Sequence, residues 1–136
     1  MTSIGLLILR LGAGGYMLTH GWGKLQMVLA GDFGSFGDPV GLGSAVSLVL
    51  ATLAEFVCAL LVLVGFQTRW AAIPVVLTMA VAAFVVHGGD PWTMGGGAQA
   101  FLSDQADSWA SKEPALLYLS GFLALVFTGG GDHSVD

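Results

Sequence analysis

The chain has 136 residues, of which 55% are hydrophobic and only 10% are charged, with a formal net charge of −5. Soluble domains contain about 25% charged residues, so this composition excludes an ordinary soluble protein and favours an integral membrane protein. No basic patch is present, which argues against nucleic acid as a partner. The length suits a single domain, residues 1–136.

Four apolar segments, taken in chain order, predict four membrane-spanning helices. They cover roughly residues 4–26, 46–66, 70–87 and 110–128. At about 1.5 Å per residue the second segment is roughly 31 Å long, which matches a hydrocarbon core of about 30 Å. Only three residues separate the second and third segments, so these helices should be antiparallel neighbours. The sequence therefore predicts an all-α fold, an antiparallel bundle of four transmembrane helices in contact with lipid.

The orientation of this bundle is predicted from its basic residues. Four spans place both termini and the tight turn on one side, and the long loops 31–43 and 88–111 on the other. Arg69 favours a cytoplasmic tight turn, whereas Lys24 and Lys112 favour the opposite arrangement. Both lysines sit near helix ends where other side chains can engage them. We therefore expect both termini of this multi-pass protein to be cytoplasmic.

Two ionisable residues fall deep inside apolar segments. Arg10 lies six residues into the first segment, and Glu55 is the only acid of the second. A charge at this depth costs several kcal/mol unless it faces the bundle interior and finds a partner. Measured from the segment ends, Glu55 lies about 7 Å deeper than Arg10. We expect an Arg10–Glu55 pair, which either fixes helix packing or belongs to a proton or ligand site.

Further polar residues gather towards the two long loops. At 100° per residue, Arg10, Met17, His20 and Lys24 share one face of the first helix. On the same side, His87 ends the third segment and Glu113 opens the fourth. His20, Lys24, His87 and Glu113 are therefore expected at one mouth of the bundle. They would either carry acid–base chemistry or cap helices individually.

Two further residues, Tyr118 and Cys58, and the question of a metal site remain. The hydroxyl of Tyr118 lies one turn into the fourth segment and needs a partner, for which Glu55 or Arg10 is available. The histidines and acids come from separate helices without ligand-type spacing, so we predict no metal site. Cys58 is the only cysteine of the chain, which excludes an internal disulfide and a CxxC dithiol within one chain.

Several motifs together resemble the DoxX family. They are His20-Gly21-Trp22-Gly23-Lys24-Leu25, Phe36-Gly37-Asp38-Pro39-Val40-Gly41-Leu42-Gly43, Ala54-Glu55-Phe56, Gly65-Phe66-Gln67-Thr68-Arg69, the stretch from Glu113 to Tyr118, and the closing 129–136. The resemblance covers nearly the whole chain in order. It implies a four-helix protein of the bacterial inner membrane. Described members are subunits of redox systems, including quinone-linked thiosulfate oxidation and a thiol-oxidative-stress complex, and others in the superfamily are assembly factors or chaperones.

The resemblance and the polar stripe together lead to one functional expectation. We expect a redox subunit that binds a quinone or another small hydrophobic molecule. Glu55, His20 and His87 would be catalytic, and Arg10, Lys24, Glu113 and Tyr118 would bind the head group. A redox partner protein or a homo-oligomer is expected with it, because the chain has no cysteine pair of its own. The alternative is a non-enzymatic scaffold or assembly factor, and a proton-coupled carrier ranks last.

Overall fold

The computed structural model describes residues 2–136, which form five helices and no strand. The helices are α1 (Thr2–Ala30), α2 (Ser44–Val64), α3 (Thr68–Val86), α4 (Met94–Leu102) and α5 (Glu113–Thr128). The first three are long and apolar enough to cross a membrane. The fourth apolar segment is the shorter α5, about 24 Å long, which packs along α3. The predicted all-α membrane bundle is confirmed, and the short α4 within the second long loop was not foreseen.

The tight turn between α2 and α3 depends on backbone that L side chains rarely adopt. Gly65 ends α2 with a φ of +81°, and Gln67 precedes α3 with a φ of +50°. A Cβ at Gly65 would also collide with the guanidinium of Arg10. Glycine at this position therefore serves both the left-handed turn and the close approach of a charged side chain.

The centre of the bundle is apolar and closely packed. Met17, Val62, Val75, Phe122 and Leu125 are all fully buried, and they come from α1, α2, α3 and α5. Many other large apolar side chains face outwards. In a bilayer those side chains contact hydrocarbon, so their exposure needs no protein partner. This distribution suits a bundle with lipid around it.

Helices α1 and α2 approach each other most closely at Gly21. A Cβ there would overlap the backbone of Glu55, so only glycine permits this spacing. Further along, Arg10 lies level with Val62 near the end of α2. The start of α1 reaches the C-terminal tail, where the backbone N–H of Asp132 donates to the hydroxyl of Ser3 over 2.7 Å. Helix α1 thus extends well past the tight turn.

Each of the three long helices contains one π-helical segment. These segments are Arg10–Gly14 in α1, Leu53–Cys58 in α2 and Ala82–Val86 in α3. A π-turn widens the helix locally and occurs frequently at functional sites. Here two of the segments contain Arg10 and Glu55, and the third ends directly before His87.

Candidate functional site

A partly buried ion pair joins α1 and α2. The Nζ atom of Lys24 lies 2.6 Å from Oε2 of Glu55, and their side chains are 22% and 5% exposed. Glu55 lies eleven residues after Ser44, about 16 Å from the loop end of α2. A carboxylate at that depth requires a cation or donors, and the neighbouring contact at Gly21 holds the two helices close enough for Lys24 to supply one.

This pair borders a cavity of about 510 Å³ at the loop end of the bundle. Five polar or ionisable side chains that the sequence singled out lie on its wall: His20, Lys24, Glu55, His87 and Tyr118. Most of the remaining wall is apolar. A volume of this size suits a small organic molecule, and an apolar wall with a few convergent polar groups is typical of ligand sites.

One ring contact and one hydrogen bond position the two histidines of the cavity wall. His20 of α1 meets Tyr118 of α5 edge to face, with ring centroids 5.5 Å apart. Nδ1 of His87 lies 2.7 Å from a carboxylate oxygen of Asp90. If Nδ1 carries the proton of that bond, Nε2 is the nitrogen that can exchange a proton with the cavity. No hydrogen bond joins Tyr118 to Glu55 or Arg10 within residues 2–136, so the partner predicted for its hydroxyl was wrong.

The loop of residues 31–43 between α1 and α2, called loop one below, forms part of the cavity wall through Phe36, Pro39 and Val40. Its position is fixed by Asp38, whose carboxylate accepts hydrogen bonds from the backbone N–H groups of Gly43 and Leu42 and from the Ser47 hydroxyl. The bond from the Gly43 N–H, supported by those of Ser47 and Leu42, holds the pKa of Asp38 below its ordinary value. The anionic carboxylate therefore ties the loop to the first turn of α2.

The predicted Arg10–Glu55 pair is wrong. Arg10 instead donates four hydrogen bonds, of 3.0 to 3.1 Å, to backbone carbonyls at the end of α2 and in the C-terminal tail; the acceptors are Val62, Leu63, Gly130 and His133. Because Gly21 is level with Glu55, Arg10 lies eleven residues away along α1, or about 16 Å. A guanidinium cannot reach that far. Arg10 joins α2 to the tail, and it lies outside the cavity wall.

Glu113 also lies outside the cavity wall. One of its carboxylate oxygens accepts the backbone N–H of Met94 over 2.7 Å, which caps the first turn of α4. The preceding Lys112 is buried, with its Nζ 4.6 Å from the ring centroid of Trp92. These two residues attach α4 to the start of α5. The mouth cluster predicted from the sequence therefore reduces to His20, Lys24 and His87, joined by Glu55 and Tyr118.

The described part of the chain contains no cluster of side chains that could hold a metal ion. Among residues 2–136, no three His, Cys, Asp or Glu side chains lie close enough to hold one ion. The polar groups of the cavity are suited instead to hydrogen bonding and proton exchange with an organic ligand. Sequence reasoning named Asp38 as part of a family motif and missed its role in fixing loop one. The hydroxyl-bearing Ser47, nine residues later, was the available signal.

The order of these elements agrees with a comparison against known families, in which the DoxX family model matches residues 5–88. That range contains nearly all of α1, the whole of α2 and α3, loop one, and four of the five ionisable or aromatic residues named on the cavity wall. The chain belongs to the DoxX family. It is a multi-pass membrane protein of that family, with helices in contact with the lipid bilayer. No curated protein and no solved structure matches the chain.

Proposed function

We propose that this DoxX protein is a bacterial inner-membrane subunit of a redox system that binds a quinone, or another small hydrophobic molecule with a polar head, in its cavity. The observation that carries the proposal is the meeting of His20, Lys24, Glu55, His87 and Tyr118 on the wall of one mostly apolar cavity inside a membrane bundle. An isolated structural pair would not require the two histidines and the tyrosine on the same wall.

The roles follow from the chemistry of each group. The ammonium of Lys24, the ring nitrogens of His20 and the hydroxyl of Tyr118 can donate hydrogen bonds to the carbonyl oxygens of a head group. Reduction of a quinone to a quinol takes up two electrons and two protons. Glu55 and His87 are the proton-exchanging groups of the wall, and Asp90 orients His87. Since Cys58 is the only thiol in the sequence, the electrons would come from a redox partner protein.

Titration of the purified protein with ubiquinone and menaquinone analogues tests this proposal. We expect saturable binding that Glu55→Gln weakens about tenfold or more, because the substitution removes the counter-charge of Lys24. Glu113→Gln is the matched control, since the same chemical change then falls outside the cavity wall, and binding should be preserved. Absence of saturable binding, or equal binding by the two variants, would contradict the proposal.

A scaffold or assembly factor is the second candidate, and the contact at Gly21 favours it. There the Lys24–Glu55 pair lies beside the closest approach of α1 and α2, as expected of a group that fixes helix packing. In this case Glu55→Gln lowers thermal stability while capture of a partner protein survives. Loss of a measurable turnover in a Glu55→Gln variant that still folds and captures its partner would exclude the scaffold function.

We also propose that both termini face the cytoplasm. Of the basic residues on the loop side, Lys24 is paired with Glu55 and Lys112 lies over Trp92, whereas Arg69 is exposed beside the tight turn. The positive-inside rule then favours a cytoplasmic turn. Labelling of cysteines introduced at Gln67 and Asp104 with an impermeant maleimide in intact spheroplasts tests this orientation. We expect label at position 104 only, and the reverse pattern would overturn it.

A further inference from the structure

The cavity is covered on its loop side and open at a different place. Phe36 and Pro39 of loop one are half-buried where they line it, and the hydrogen bonds of Asp38 hold that loop against α2. Loop one therefore obstructs part of the approach from water.

Two leucines mark an opening that faces the bilayer. Leu50 of α2 and Leu77 of α3 both line the cavity, yet they are 50% and 61% exposed on the outer surface of the bundle. Leu50 lies six residues after Ser44 and Leu77 nine residues before Val86, or about 9 and 13 Å from the loop ends of their helices. At these depths the surroundings are hydrocarbon.

The separation of α2 and α3 explains why an opening lies there. The two helices are joined by a short turn and pack together along the segment 53–64 of α2. The cavity lies further from the turn, where the earlier residues of α2 line it from the opposite wall. Between α1 and α5, by contrast, the His20–Tyr118 ring contact crosses the gap. One flank of the cavity is thus polar, and the other is apolar and continuous with the lipid-facing surface.

From this polarity we infer that the ligand is a membrane-dissolved amphiphile that enters sideways between α2 and α3, with its head group at Lys24–Glu55 and its hydrocarbon chain leaving past Leu50 and Leu77. The inference rests on the proposed function and adds the class of ligand and its route. A chain in this position remains in contact with lipid. Only the head group then has to leave the membrane interface, and in the cavity it can form hydrogen bonds with the polar side chains of the wall.

Association kinetics in phosphatidylcholine nanodiscs test the route. The probes are a decyl-substituted benzoquinone and the same head group without the chain, with each concentration expressed per lipid. We expect Leu77→Trp to slow association of the decyl probe about tenfold, because the indole narrows the opening. A site with a narrower entrance binds its ligand more slowly. Leu117→Trp is the matched control: Leu117 is equally exposed on α5 and lies outside the cavity wall, so its effect should remain under about twofold. Should Leu77→Trp fail to fold, Leu50→Trp tests the same opening.

Asp38→Ala separates the sideways route from an aqueous one. It loosens loop one, and under the inference it leaves association of the decyl probe unchanged. The inference is overturned if Asp38→Ala accelerates binding while Leu77→Trp matches Leu117→Trp, or if the chain adds nothing to affinity per lipid. In those cases the proposed function still stands, because the head group still binds. If neither probe binds the wild-type protein, both proposals fall.

Discussion

The ion pair between α1 and α2 gives the sharpest test, a double-mutant cycle on Lys24, Glu55 and Arg10. Glu55 is 5% exposed and its carboxylate lies 2.6 Å from the Lys24 ammonium. Removing one member of a buried pair typically costs about 3–5 kcal/mol, because the remaining charge is left uncompensated. Since the Lys24 side chain retains 22% exposure, water solvates part of its charge and the lower value of about 3 kcal/mol applies to Glu55→Gln.

The cycle compares two couplings. Lys24→Met combined with Glu55→Gln should cost at least about 1 kcal/mol less than the sum of the single variants, since neither charge is then left alone. Arg10→Met combined with Glu55→Gln should be additive within about 0.5 kcal/mol, because these residues share no partner. The free energies of unfolding are measured by reversible denaturation in mixed micelles. A strong Arg10–Glu55 coupling, or an additive Lys24–Glu55 pair, would refute the reasoning from this geometry.

Two further predictions concern the packing of α1 and the cover of the cavity. In a thermal unfolding assay, Gly21→Ala should destabilise the protein by about 1–3 kcal/mol, because the added methyl group meets the backbone of Glu55. Gly23→Ala, where a Cβ meets nothing within 4 Å, should be nearly neutral in the same assay. Equal effects of the two substitutions would contradict the close approach. The lowered pKa of Asp38 means that its stabilising effect is present above the pKa of the unfolded chain and is lost as pH falls through the lower folded value. The protection factors of the two amides that it binds, which are corrected for the intrinsic pH dependence of amide exchange, should therefore fall at acid pH. Asp38→Asn should show low protection at neutral pH as well, and a pH-independent protection factor in the wild type would count against it.

The spans were predictable because long apolar runs leave few alternatives. The second and third predicted segments agree with α2 and α3 within two residues at either end, and the tight turn follows directly from their spacing. Helix α4 escaped prediction because its nine residues begin with Met-Gly-Gly-Gly, which resembles a loop. Its start depends on capping by Thr93 and by the distant Glu113.

The site was only partly predictable, because the depth of each residue in the membrane had to be estimated from the predicted end of its helix. The estimate for Arg10 and Glu55 assumed that α1 and α2 begin and end at the same level. In fact the start of α1 projects past the tight turn, and the tail folds beside it, so that Arg10 finds carbonyls instead of a carboxylate. The partner of Glu55 then comes from Lys24, which the helical wheel had already placed on the inner face. The offset between two helices along the bundle axis is set by tertiary packing, and the sequence of either helix alone does not reveal it.

The π-helical segment Arg10–Gly14 divides the continuous helix α1 into two parts with different contacts. A π-turn holds an extra residue, so the side chains before it are turned by about 100° relative to an unbroken α-helix. Arg10 at the start of the segment, and Ser3 before it, contact the tail and the end of α2, while His20 and Lys24 after the segment line the cavity. The side chains of one half can therefore face their partners without fixing the direction of the side chains in the other half. In a regular α-helix of the same length, the fourteen-residue separation of Arg10 and Lys24 would turn both side chains to within about 40° of one direction.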